Sequence, residues 1–204
     1  MSGAADDGQV TYLDLPLGAF LGALSSAEPA PSGGGAAAAA VALGASLCAM
    51  TARLSARQLT IELATDLTTD AERLRHRSAS LIQADADSYQ RVLTEYRQPA
   101  GTPAASKRRQ GQIAMALSEA TAVPMDIIEL AARVVRLAAR LAADGNPNLR
   151  GDAITAAELA AGGARAAAVL VGINLAGTPD DDRHARAGRL LSEITGSLRT
   201  APRL

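Results

Sequence analysis

Between Pro31 and Met50 the chain reads PSGGGAAAAAVALGASLCAM, three glycines running directly into a helix of alanine and other small side chains. Alanine is the strongest helix former but fills almost no volume, so a helix of this kind is packed only where neighbouring backbones come very close. Ala36, Ala40, Gly44 and Cys48 recur at every fourth position, which predicts a packing seam on one face. The stretch therefore calls for other helices around it. The remaining composition agrees: hydrophobic residues make up 48% of the 204, yet aromatics only 2%, and Trp is absent. An all-α bundle of long, Ala/Gly-rich helices is expected. Such thin side chains close little volume alone, so burial of helices between subunits, as a homodimer, is also expected.

The glycine triplet is a chemical candidate too. Gly33, Gly34 and Gly35 can take positive φ, let a ligand approach the backbone, and aim N–H groups at an anion from a helix start. A flexible turn before a tightly packed helix accounts for the same residues, and neither G-x-G-x-x-G nor G-x-x-x-x-G-K-[ST] is present.

Residues 1–9 are polar and predict a disordered tail with no signal peptide; residues 10–204 read as a single domain. Helices are predicted over 15–24, ended by Pro29 and Pro31, over 35–57 and over 67–97. A loop at Pro99, Gly101 and Pro103 precedes a fourth helix, opened by Lys107, Arg108 and Arg109 and broken or kinked at Pro124, which resumes through Leu141. Gly145 is expected to close it as a C′ glycine, Asn146 and Asn148 to flank a tight turn, and Asp152 to cap a helix over 153–175. A last amphipathic helix is predicted over 186–198. The net charge of −1 gives no global attraction to nucleic acid or membrane. The apolar run ends near Thr51 and Arg53, short of the roughly 20 residues of a membrane span. Lone Cys48 precludes an intrachain disulfide and a cysteine cluster, and His76 and His184 lack ligand spacing, so a cytoplasmic protein with no metal is expected.

The third helix carries the chemistry. Leu74, Ser78, Leu81, Asp85, Tyr89, Val92 and Tyr96 recur at intervals of three and four, which places Asp85 on an inward stripe. Asp87 points elsewhere and sits one turn from Arg91, as a surface pair would. A carboxylate in an apolar seam must be paired, hydrogen-bonded or protonated, and a raised pKa is what an acid/base catalyst near neutrality needs. A structural carboxylate bonded to a tyrosine or arginine is the plain alternative. Lys107, Arg108 and Arg109 at a helix start oppose the macrodipole, which fits either solvated charge or a carboxylate-binding rim.

Four stretches, PSGGGAAAAAVALG, QADADSYQRVLTEYRQP, the RR and P of Arg108 to Pro124, and GNPNLRGD with GINL, occur in an order that resembles the cyclodeaminase/cyclohydrolase family. This family comprises the C-terminal domain of formiminotransferase-cyclodeaminase and its stand-alone bacterial relatives, and the resemblance covers about 13–198. It implies an all-helical homodimer acting on tetrahydrofolate one-carbon derivatives, with no cofactor beyond that substrate. The implied reaction is hydrolysis of 5,10-methenyltetrahydrofolate to 10-formyltetrahydrofolate, or release of ammonia from 5-formiminotetrahydrofolate to form the methenyl compound. The absence of a formiminotransferase domain from this sequence leans toward the first. The family's catalytic aspartate falls on Asp85, four residues before Tyr89, and its substrate-binding turns on Gly33, Gly34, Asn146 and Asp152, with Asn174 in the I-N-L ending. The sequence departs from the family at Gly35, Ala100, Ser106, Gly151 and Leu170, where polar or basic side chains are expected. Lys107, Arg108 and Arg109 are the candidates to replace the missing lysines. A non-catalytic dimeric binding protein of the same fold is the alternative that these departures suggest.

Overall fold

A computed structural model describes residues 11–200, apart from the side chain of Thr200; the expected tail over 1–9 lies outside them. Among the described residues the chain forms seven α-helices: α1 (Leu17–Leu24), α2 (Gly33–Arg53), α3 (Ile61–Tyr96), α4 (Pro103–Ala120), α5 (Ala122–Asp144), α6 (Arg150–Asn174) and α7 (Asp182–Thr200). Short 3-10 turns stand at Tyr12–Asp14 and Pro147–Leu149, and no strand is present among these residues.

Local chemistry sets the helix ends. Thr60 caps α3, its hydroxyl accepting from the Leu63 N–H at 3.2 Å, so that helix starts a turn and a half before the predicted Leu67. Thr102 does the same for α4 through Ala105 N–H, with Pro103 in the first turn, and the helix thus begins before the basic cluster. The break between α4 and α5 falls at Thr121, whose hydroxyl donates to the Leu117 carbonyl at 2.8 Å. Pro124 lies in the first turn of α5, where a missing N–H costs no intrahelical bond.

Two predicted caps differ from what forms. Gly145 ends α5 with φ −80°, not left-handed; glycine is required there because a Cβ would meet the Leu141 carbonyl oxygen at 2.5 Å and Ser55 Oγ at 2.9 Å. The helix α6 starts at Arg150, so Asp152 lies inside its first turn, where it favours the positive end of the macrodipole, and is not the N-cap.

The core lies between α2, α5 and α6. Val41, Ile127, Ile128, Val134, Val135 and Val171 are fully buried among alanines. Backbones meet where side chains vanish. A Cβ on Gly44 of α2 would stand 2.6 Å from the Ala156 carbonyl oxygen of α6, and one on Gly163 of α6 would stand 2.7 Å from the Ala37 carbonyl oxygen of α2. As position 37 advances to 44, its partner retreats from 163 to 156, so the two helices run antiparallel at glycine-limited separation.

The predicted seam is half right. Gly44 and Cys48 are buried, but Ala36 is exposed and Ala40 half-buried. An i+4 row overshoots one turn of about 3.6 residues, so it drifts around the helix, whereas the buried line follows Ala37, Val41, Gly44, Cys48 and Ala52. The expected shortfall of the apolar run as a membrane span also needs correction: α2 has 21 residues, and it and the segment Pro147–Asn174 are long and apolar enough by length and composition to cross a bilayer. About half of each apolar window is buried against other helices of the bundle.

Candidate active site

The N-terminus of α2 meets the middle of α3 at Asp85. Ser32 occupies the N-cap position of α2 but does not cap its own helix. Its hydroxyl donates to Asp85 Oδ2 at 2.9 Å, and the Gly35 N–H donates to the same oxygen at 2.9 Å. The carboxylate of α3 thus takes over the capping of α2 across 53 residues of sequence. Both bonds go to Oδ2, and Oδ1 takes none. Asp85 lies directly over Gly34, where any Cβ would overlap Oδ1. Gly33 to Gly35 are the first three residues of a regular helix, and no described glycine has positive φ. The triplet's role is therefore absence of bulk, not unusual backbone conformation. The anion at the helix start is the chain's own carboxylate.

No arginine or tyrosine bonds Asp85, and it is only 7% exposed. Burial drives its pKa above the ordinary carboxylate value, while the bonds from Ser32 and Gly35 pull in the opposite direction without cancelling it. A carboxyl anchored by one oxygen, with its other oxygen free and its charge destabilised, can both accept and return a proton.

Asp85 faces a cavity of about 250 Å³. Ser32, Gly33, Ser88 and Tyr89 surround the carboxyl, Val92, Leu117, Ala120 and Pro124 form an apolar wall, and Leu170, Ile173 and Asn174 of α6 close the far side. Ser88 donates to the Asp85 backbone carbonyl at 2.9 Å, which holds the helix turn beneath the carboxyl. Leu170, where the resemblance implies asparagine, makes that wall apolar. A second cavity of about 390 Å³ adjoins through Leu117 and Asn174, with Arg109 on its lining.

The structure brings Asp85, Gly33, Gly34, Gly35 and Tyr89 together, with Tyr89 39% exposed at the rim. Lys107 is exposed and lines neither cavity. Asn146 and Asp152 stand elsewhere in the protomer. The Asn146 N–H donates to Ser55 Oγ at 2.8 Å and its side-chain amide donates to the Leu54 carbonyl at 3.3 Å, at the C-terminus of α2. The opposite end of that helix, about 30 Å away at 1.5 Å per residue, holds Asp85. Asp87 also departs from expectation, accepting from the Gln83 amide at 2.8 Å rather than pairing with Arg91. Ser32 was not singled out as a site residue; its place immediately before the glycine triplet, at a helix start, was the available signal. Cys48 is buried, with its thiol pushed up to about 12 by burial, so it is no nucleophile at neutral pH.

A family model described as formiminotransferase-cyclodeaminase matches residues 16–192. The chain is 36% identical over 186 residues to the methenyltetrahydrofolate cyclohydrolase of Methylorubrum extorquens, covering 89% of this chain and 88% of that protein. It is 29% identical over 197 residues to the formimidoyltransferase-cyclodeaminase of Sus scrofa, of whose length it spans 36%. The crystal structure of formiminotetrahydrofolate cyclodeaminase from Thermotoga maritima superposes with a TM-score of 0.76 at 24% identity, covering 92% of this chain and 91% of that one, a likeness of fold.

Proposed function

The chain belongs to the formiminotransferase-cyclodeaminase family, and on that premise we propose that it hydrolyses 5,10-methenyltetrahydrofolate to 10-formyltetrahydrofolate with Asp85 as general acid and base. The observation that carries the reading is the buried carboxyl on the floor of the cavity, one oxygen anchored by Ser32 and Gly35 and the other free over Gly34.

The substrate carbon sits between two nitrogens in an amidinium-like cation. Ionised Asp85 stabilises that cation and takes a proton as water adds to the carbon, giving a neutral tetrahedral adduct. The protonated carboxyl then returns its proton to the departing ring nitrogen as the carbon–nitrogen bond breaks. Loss of the hydroxyl proton leaves the formyl group, and one proton per turnover passes to solvent. Proton transfer of this kind is worth about 10²- to 10⁴-fold, or about 3 to 5 kcal/mol of barrier. Gly33 brings backbone to the cavity edge, and Tyr89 with the apolar wall packs against the pterin.

The cyclodeaminase reaction is the second reading, favoured by the mammalian relatives and by the same need for a carboxyl beside a tetrahedral carbon. The test supplies purified protein with methenyltetrahydrofolate, following its absorbance against a blank for spontaneous hydrolysis, and separately with formiminotetrahydrofolate, following ammonia. Accelerated loss of the methenyl compound without ammonia release in the second assay supports the hydrolase. Ammonia release without acceleration of hydrolysis replaces it with the cyclodeaminase. Binding without turnover of either compound contradicts both.

A homodimer is part of this reading. Val169 and Ile173 on α6 are each about 60% exposed, one turn apart on the same face of that helix. Ile173 belongs to the cavity wall, so a second copy seated on this face would also cover the site.

A further inference from the structure

The hydroxyl of Ser32 has a use beyond anchoring the carboxyl. A serine oxygen carries one hydrogen and two acceptor lone pairs. Here the hydrogen is spent on Asp85 Oδ2 at 2.9 Å, and Ser32 gives no cap to α2 although it stands at that helix's N-cap position. Ser32 is half-buried and lines the cavity, so toward the cavity its oxygen acts as an acceptor.

Asp85 offers a second acceptor beside it. Oδ2 already receives Ser32 and the Gly35 N–H, whereas Oδ1 takes no bond and is not sealed from the cavity. Ser32 Oγ and Asp85 Oδ1 are separated by one hydrogen bond and one carboxyl edge, within the span of a single water that donates a hydrogen to each. A water with both hydrogens engaged in this way turns its own lone pairs outward, as a nucleophile must. The other polar side chains on the lining are placed differently. Ser88 is 4% exposed and gives its hydrogen to the Asp85 backbone carbonyl, Tyr89 stands at the rim, and Asn174 lies across the cavity on α6.

We propose that Ser32 is a water-positioning residue, which together with Asp85 Oδ1 holds the molecule that attacks the substrate carbon. This role rests on the hydrolase reading above and extends it from the proton to the nucleophile. As the oxygen–carbon bond forms, the carbon–nitrogen π pair moves onto nitrogen and one water proton passes to Oδ1. The remaining O–H of the neutral adduct stays hydrogen-bonded to Ser32 Oγ. Only hydrolysis uses such a water; in cyclodeamination the attacking nitrogen belongs to the substrate itself.

The test measures kcat and KM of wild type, Ser32→Ala, Ser32→Thr and Asp85→Asn on methenyltetrahydrofolate across pH, with a thermal melt of each. Asp85 is the one charged group on the cavity lining and Tyr89 of the same helix the one other titratable group; the linings from α2, α4, α5 and α6 carry none. The acid limb of the profile therefore reports Asp85. On the plateau above that limb, Ser32→Ala lowers kcat by about 10- to 100-fold with KM within about twofold. It also moves the limb to higher pH, because a bond that favours the ionised carboxyl is lost. Its melting temperature stays near that of wild type, since no cap of α2 is removed. Ser32→Thr keeps the hydroxyl and recovers most of the plateau rate. A wild-type plateau rate in Ser32→Ala would overturn the proposal and leave Ser32 an anchor of the carboxyl alone. A loss that Ser32→Thr does not recover, or one matched by a collapse in melting temperature, would overturn it as well. Failure of wild type to hydrolyse the methenyl compound, or full turnover by Asp85→Asn, would overturn the hydrolase reading itself, and the held water with it.

Discussion

Gly34 and Gly44 lie on the same helix, about three turns apart, and both exist because something comes too close for a side chain. At Gly44 the intruder is the Ala156 carbonyl oxygen of a neighbouring helix; at Gly34 it is the Asp85 carboxyl. A backbone carbonyl cannot move without shifting its helix. A carboxyl can swing away, at the cost of the two hydrogen bonds that hold it. The same residue type therefore protects the fold at one position and the chemistry at the other.

Substituting each glycine by alanine separates the two roles. Gly34→Ala displaces Asp85 from Ser32 and Gly35, and turnover of methenyltetrahydrofolate should fall by about 10²-fold or more, with helix content little changed and a loss of stability of about 0.5 to 2 kcal/mol for the lost cap. A Gly34→Ala enzyme with wild-type kcat would break the comparison. Gly44→Ala, forced against a carbonyl, should destabilise by about 1 to 3 kcal/mol, a Tm loss of several degrees in thermal melts, while kcat at low temperature stays close to wild type. At the far end of α2, Asn146→Ala removes the amide bond to Leu54 and should cost about 1 kcal/mol in urea unfolding without altering turnover by the protomer. Asp152→Asn, which only weakens the favourable charge at the start of α6, should cost about 0.3 to 1 kcal/mol.

Much of this contrast was open to sequence reading, for identifiable reasons. Local periodicity placed Asp85 on an inward stripe with Leu74, Ser78 and Val92, and these four are buried, whereas Leu81 of the same stripe is half-buried and Tyr89 and Tyr96 are exposed. The small residues of α2 announced close helix contact. What periodicity lacks is the identity of the opposite side. Nothing local says that Asp85 meets Ser32 and Gly35, because that contact spans the chain between two helices. For the same reason the glycine triplet suggested special φ values, when its residues are ordinary helix whose missing Cβ matters. The GNPN turn was legible as a turn, but its clasp on Leu54 and Ser55 was not. Seen from one strip of sequence, a polar turn that binds substrate and one that ties down a helix look alike.

The central claim is that Asp85 is held for chemistry and not for stability, and Asp85→Asn tests it in one preparation. Burial raises the folded-state pKa of Asp85, so the stability linked to its proton is complete below the unfolded carboxylate pKa and is lost as pH rises through the folded value. Asparagine has no such proton and can still accept from Ser32 and Gly35. Measured side by side, the variant should melt no lower than wild type at neutral pH, gain on it from acid toward neutrality, and turn over methenyltetrahydrofolate about 10²- to 10⁴-fold more slowly. Wild-type turnover by Asp85→Asn, or a large loss of stability at neutral pH, would contradict the claim.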